Sequence, residues 1–268
     1  MHFNFSNPCL SKCVSLAAAV LLAACAAPKT SSDVAGGAPL QPEIATGFTR
    51  KADVVSSKFA VAAANPLATQ AGFDVLKAGG SAVDAAIAVQ MVLGLVEPQS
   101  SGMGGGAFLL HSKATQGGGA KVQAFDGRET APAAATEDML LNAEGKPLAF
   151  HDAVVGGRSV GTPGVLRMLA QAHAQHGKLP WAKLFEPAMA LANQGFAISP
   201  RLHAQLKADA YLRLDPTARA YFYQANGEPH AIGHVLRNPE LAAVLQRIAG
   251  EGVQAFYSGE VAEAVVRK

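Results

Sequence analysis

Residues 82–96 read AVDAAIAVQMVLGLV, and only Asp84 and Gln90 among them are strongly polar. A helix that is apolar on nearly every side has no solvent face and belongs in a protein interior. The run is too short to span a bilayer, which takes about 20 apolar residues, and it carries Asp84. No other segment constrains the chain as strongly, because further elements must be laid around this one before it is stable in water. Its ends are legible. Ser81 stands where an N-cap belongs. Glu97-Pro98 stops the helix, since proline cannot continue the hydrogen-bond ladder and restricts the residue before it.

Around it the chain alternates. Asn65-Pro66 opens a helix, with Asn as cap and Pro at the first position, and Gly79-Gly80 closes it. The β-branched run at residues 54–63 reads as a strand entering a loop. Strands at residues 107–111 and 122–125 flank the turn Gly117-Gly118-Gly119 and read as a pair. Further helices are predicted at residues 137–142, 163–175, 181–194, 201–208, 239–249 and from 259 onward. The class is mixed α and β, without an internal repeat.

The 268 residues are 50% hydrophobic and 16% charged, with a formal net charge of +2. That composition excludes a disordered chain. It also removes the case for nucleic acid as a partner, because no strong basic field is available to neutralise phosphates. Residues 14–24, VSLAAAVLLAA, form a short apolar core between Lys12 and Cys25. Small residues before a cysteine at the end of such a core resemble a bacterial lipoprotein signal, cut before Cys25 and lipidated on it. The expected organisation is a signal at residues 1–24, a flexible Ala/Pro/Gly/Ser-rich tether at 25–51 and a domain at 52–268. It implies export to the periplasm of a Gram-negative bacterium and a lipid anchor in the outer membrane. The cysteines are Cys9, Cys13 and Cys25. Only Cys25 survives such a cut, so no internal disulfide, cysteine nucleophile or cysteine-based zinc site is expected.

Several motifs compete for the chemistry. The loop Gly102-Met103-Gly104-Gly105-Gly106 lies between a helix and a strand, whereas phosphate binding needs strand, loop, then helix. It reads as a place where backbone approaches something closely. Gly157-Arg158-Ser159-Val160-Gly161 matches G-x-S-x-G. A serine nucleophile there would need Val154-Val155 as the preceding strand, with Asp209 or Asp215 and His230 or His234 as partners. His230 and His234 are spaced i, i+4, but Ala231 stands where a zinc protease needs Glu, and Gly233 weakens a helix. His173 and His176 read as surface residues of a helix. More informative is Asp126-Gly127-Arg128-Glu129-Thr130 at a strand end. A guanidinium there can grip a carboxylate through two parallel hydrogen bonds; on local sequence alone a surface ion pair with its acidic neighbours is the favoured alternative.

Taken together, seven stretches in order carry a family resemblance. They are Asn65-Pro66-Leu67-Ala68, Ala78-Gly79-Gly80-Ser81-Ala82-Val83-Asp84, Pro98-Gln99 with Gly104-Gly105-Gly106, Phe125-Asp126-Gly127-Arg128-Glu129-Thr130-Ala131-Pro132, Gly161-Thr162-Pro163-Gly164, Leu184-Phe185-Glu186-Pro187-Ala188 and Phe256-Tyr257-Ser258-Gly259-Glu260. Their order and spacing resemble the N-terminal part of the large subunit of γ-glutamyltransferases, also called glutathione hydrolases. The resemblance implies an α+β fold of the N-terminal-nucleophile hydrolase type, an αββα sandwich that is incomplete in this chain. It implies a precursor that cuts itself into large and small subunits. The freed threonine of the small subunit then attacks γ-glutamyl amides, with its own α-amino group as base, and passes the group to water or an amino acid.

By the same resemblance Arg128 binds the substrate α-carboxylate, and Glu129 holds Arg128 or touches substrate. Gly127 departs from the family pattern and is expected to let the strand end sit differently. No metal or organic cofactor is implied. The expected partners are γ-glutamyl compounds such as glutathione, the small subunit, and the membrane through the lipid on Cys25. No catalytic residue is assigned within residues 1–268. Thr162 reads as a helix-start residue rather than the nucleophile, and the polypeptide alone is expected to be inactive. The alternatives are a β-lactam side-chain acylase of the same family, a serine hydrolase using Ser159, and a non-catalytic ligand-binding lipoprotein.

Overall fold

The computed structural model describes residues 53–268. The expected signal, the tether and Cys25 lie outside the described residues. Helix α1 spans Pro66–Lys77, capped by the Asn65 side chain, which accepts the Leu67 amide at 3.0 Å. Helix α2 spans Ala82–Val96. At its start the Ser81 hydroxyl accepts the Asp84 amide, and the Asp84 carboxylate accepts the Ser81 amide. This reciprocal cap satisfies two N–H groups that a helix start leaves open.

Helix α2 is the hub of the molecule. Val83, Ile87, Ala88, Met91, Val92, Leu95 and Val96 are buried on several of its sides. It packs against α1, α4 (Val165–His176), α5 (Glu186–Gln194) and the tight turn Trp181–Phe185. Each fully buried aliphatic or aromatic side chain in such a core contributes about 1.5–3 kcal/mol. Asp84 is the polar exception, 0% exposed. The oxygen that takes the Ser81 amide, Oδ2, also accepts the amides of Lys178 (2.9 Å) and Leu179 (3.1 Å), tying the start of α2 to the loop after α4.

Strands β1 (Ala107–Ala114) and β2 (Ala120–Gly127) form an antiparallel hairpin, in register from Ala107↔Gly127 to Ala114↔Ala120. Its turn uses three successive glycines at positive φ, Gly117, Gly118 and Gly119, a conformation that side chains disfavour. One face, with Phe125 and Gly127, packs on α4. The other leaves Phe108, Leu110 and Val122 exposed. Short α3 is Phe150–Val154. The remaining elements are β3 (Phe196–Ala197), α6 (Pro200–Ala208), α7 (Pro216–Phe222), β4 (Val235–Leu236), α8 (Pro239–Glu251), α9 (Gln254–Tyr257) and α10 (Gly259–Arg267). Strands β3 and β4 pair antiparallel. Helix α8 closes the core against α5, the Trp181–Phe185 turn and α9.

Three expectations differ. Residues 54–63 are not a strand. Val54 and Val55 are exposed, and no ladder partner lies beside them among the described residues. β-branched composition alone does not make a strand without pairing. Residues 137–142 form turns rather than a helix. The Asn142 carboxamide oxygen takes the amides of Glu144 and Lys146, and Leu148 pairs back to Leu140. A side chain that bonds local backbone in this way competes with helix. Finally, α4 starts at Val165 after Gly164, without a side-chain cap. Thr162 instead makes an isolated bridge with Thr130, accepting and donating at 3.3 and 2.8 Å.

Candidate functional site

The end of β2 delivers Arg128 and Glu129. Gly127 remains within the strand, opposite Ala107. Its lack of a side chain has a packing cause. A Cβ at Gly127 would lie 2.6 Å from the Met168 Cβ on α4, and one at Gly164 would lie 2.4 Å from the Gly127 carbonyl oxygen. Contacts that short are well inside van der Waals distance, so both positions need glycine for the strand end and the start of α4 to meet. The Asp126 carboxylate accepts the Arg128 amide at 2.9 Å and fixes the turn out of the strand.

Arg128 projects outward, with 71% of its side chain exposed, and its Nε sits 3.1 Å from the Glu129 carboxylate. Glu129 is half-buried over the glycine loop. A Cβ at Gly106 would be 2.6 Å from Glu129 Oε2, and one at Gly161 would be 2.7 Å from Glu129 Cβ. The Gly105 carbonyl accepts the amides of Gly164 (3.1 Å) and Val165 (3.2 Å). The loop expected to permit close backbone approach therefore does so, and the group approaching it is Glu129. An exposed ion pair of this kind adds only about 0–1 kcal/mol to stability. Its effect is orientation. Glu129 occupies Nε and leaves the outer edge of the guanidinium free to take a carboxylate in paired hydrogen bonds.

A cavity of about 260 Å³ touches the same loop at Met103 and Gly104. Its other lining, Met91, Leu241, Leu245, Phe256 and Val265, is apolar and offers no charge to an amino-acid head group. It is not where a carboxylate ligand would bind.

The serine elbow does not form. Val154 ends helix α3 where the motif requires a strand, and Ser159 lies on a tight turn with its hydroxyl donating to the Val154 carbonyl at 2.8 Å. Ser159 as nucleophile is thereby set aside. His230 and His234 stack at 4.0 Å around the Gly233 turn, rather than facing one another along a helix. Burial and the neighbouring ring of His234 hold the His230 imidazole below its ordinary value. His173 and His176 are not plain surface residues. His173 Nε2 lies 3.6 Å from buried Asp84 and 2.9 Å from the Leu179 carbonyl, while His176 stacks on His111 at 3.9 Å. Partial burial and then His111 lower the His176 imidazole. No group of three or more histidine, cysteine or acidic side chains suited to a metal is present among the described residues, and no described helix is long and apolar enough to cross a membrane.

The α+β arrangement defines a class: the described residues have the fold, in part, of the N-terminal-nucleophile γ-glutamyltranspeptidases. The chain superposes on the crystal structure of the Helicobacter pylori enzyme with a TM-score of 0.74 at 29% identity, covering 81% of this chain and 61% of that one. It superposes on cephalosporin acylase from Bacillus halodurans with a TM-score of 0.66 at 31% identity, covering 84% and 42%. In sequence it is 42% identical over 218 residues to glutathione hydrolase 3 of Arabidopsis thaliana, 80% of this chain and 32% of that protein. A family model described as Gamma-glutamyltranspeptidase matches residues 68–268. The chain belongs to the γ-glutamyltranspeptidase family. It spans about a third of the length of the curated relatives it matches.

Proposed function

We propose that this chain belongs to a glutathione hydrolase or γ-glutamyltransferase, and that it supplies the clamp for the γ-glutamyl donor. The carrying observation is Arg128, fixed at the end of β2 by Asp126 and Glu129 with its guanidinium open to solvent. Two parallel bonds to the donor's α-carboxylate hold the far end of the substrate, and that holds the scissile amide near the nucleophile. Glu129 sets the guanidinium plane and contributes little binding of its own. Family resemblance assigns the attack to the freed threonine of a small subunit, with no metal or organic cofactor. It also supports, as partners, the small subunit and γ-glutamyl compounds such as glutathione. Residues 12–25 support export to a periplasm and a lipid on Cys25.

The test is turnover of a chromogenic γ-glutamyl anilide by the full-length protein, beside a glutaryl β-lactam. Preference for the γ-glutamyl anilide is expected; a glutaryl group offers Arg128 the same distal carboxylate, so the comparison reads recognition of the γ-glutamyl α-amine, which family resemblance assigns to the small subunit. Preference for the glutaryl β-lactam would instead favour the acylase reading, which the fold shared with cephalosporin acylase also accommodates.

A further inference from the structure

Glu97 ends α2 with its carboxylate almost wholly buried. Oε1 accepts the Asn65 side-chain amide at 2.9 Å. Oε2 accepts the Gln99 side-chain amide and the Arg201 guanidinium, each at 2.6 Å. Arg201, on α6, also donates to the Ser100 hydroxyl at 3.1 Å. The Glu97 carbonyl takes the amides of Ser100 and Ser101, both at 3.0 Å. An ion pair with one partner buried, as Glu97 is here, is a weak source of stability compared with apolar packing, because the buried charge loses its water. What this one does well is fix geometry: it pins the first residues of loop 98–106 to α1 and α6.

That loop needs pinning. Four of its residues are Gly102, Gly104, Gly105 and Gly106, and glycine loses more freedom on being ordered than any other residue. Its far end is held by the Gly164 and Val165 amides and lies directly beneath the Glu129 carboxylate. The physical path from this pair to the guanidinium of Arg128 is therefore short: Glu97–Arg201, the glycine loop, Glu129, Arg128.

We infer that Glu97 and Arg201 are positioning residues for the γ-glutamyl clamp, acting through the glycine loop on Glu129. The inference rests on the reading of Arg128 as that clamp. Its test measures donor KM and kcat in the full-length, processed protein for Glu97→Gln, Arg201→Lys, Arg128→Lys and the double variant Glu97→Gln/Arg128→Lys. Glu97→Gln and Arg201→Lys are expected to raise donor KM about tenfold, as a clamp displaced by a fraction of an ångström should. In the Arg128→Lys background Glu97→Gln should add less than about twofold, because coupled residues are not additive.

An equal KM effect of Glu97→Gln in both backgrounds, or a lowered melting temperature with unchanged KM, would overturn the positioning role. If the Glu97 and Arg201 variants fail to process, Ser100→Ala cuts one tie and leaves the carboxylate intact. A KM raised about twofold is then expected, and an unchanged KM counts against the inference. Should Arg128→Lys itself leave KM unchanged, the clamp reading fails instead, and the two failures are told apart.

Discussion

At the scale of single residues, the site is shaped as much by missing side chains as by charged ones. Gly106, Gly127, Gly161 and Gly164 each lie where a Cβ would fall within 2.7 Å of a neighbour. The obstacle at Gly164 is the Gly127 carbonyl, which is backbone and cannot swing aside. Gly164→Ala is expected to destabilise by about 1–3 kcal/mol, the usual cost of overpacking, read as a lower denaturant midpoint. An unchanged midpoint would mean that β2 and α4 do not approach as described. The sequence displays these glycines but not their neighbours, so only the general idea of close approach was legible.

His230 gives a residue-scale prediction in pH. Burial lowers its folded value, so the unfolded chain takes up a proton first, near about pH 6.5. The folded state then binds fewer protons in that window, and stability falls as pH drops through it. A histidine-resolved NMR titration should place His230 below the free imidazole; a midpoint above it would reverse the sign.

Among elements, α1 and α2 were readable to the residue because every signal that bounds them is local: Asn65-Pro66, Ser81 with Asp84, and Glu97-Pro98. The hairpin was readable because its glycine turn separates two short apolar runs, although the strands extend further than those runs. What escaped is long-range. Nothing near Asp84 announces the Lys178 and Leu179 amides, which come from more than 90 residues away. Likewise nothing near Glu97 announces Arg201.

Residues 54–63 and 137–142 show the converse error, where composition suggested an element that pairing or a competing Asn142 side chain denied. Asp84→Ala tests the element scale. It strips three amides, those of Ser81, Lys178 and Leu179, of a fully buried acceptor. A loss of about 3 kcal/mol is expected, seen as a lower thermal midpoint with the loop after α4 exchanging its amide hydrogens faster. A near-neutral effect would show that α2 is not tied to that loop through Asp84.

Across the described residues as a whole, the exposed Arg128–Glu129 pair stands at the end of a hairpin that packs on an apolar core. The outer hairpin face presents Phe108, Leu110 and Val122, with Leu110 74% exposed. Exposed apolar strand residues of this kind mark a surface suited to further packing. The chain covers about a third of its curated relatives. The central claim is that Arg128 grips the donor's α-carboxylate. It is tested most directly by donor KM in the full-length, processed protein carrying Arg128→Lys. Lysine keeps the charge but loses the planar fork. The account predicts a KM raised about a hundredfold for a γ-glutamyl anilide, consistent with about 2.7 kcal/mol of lost binding, with subunit processing intact. A KM within about twofold of the unaltered protein's, well under 1 kcal/mol, would contradict it.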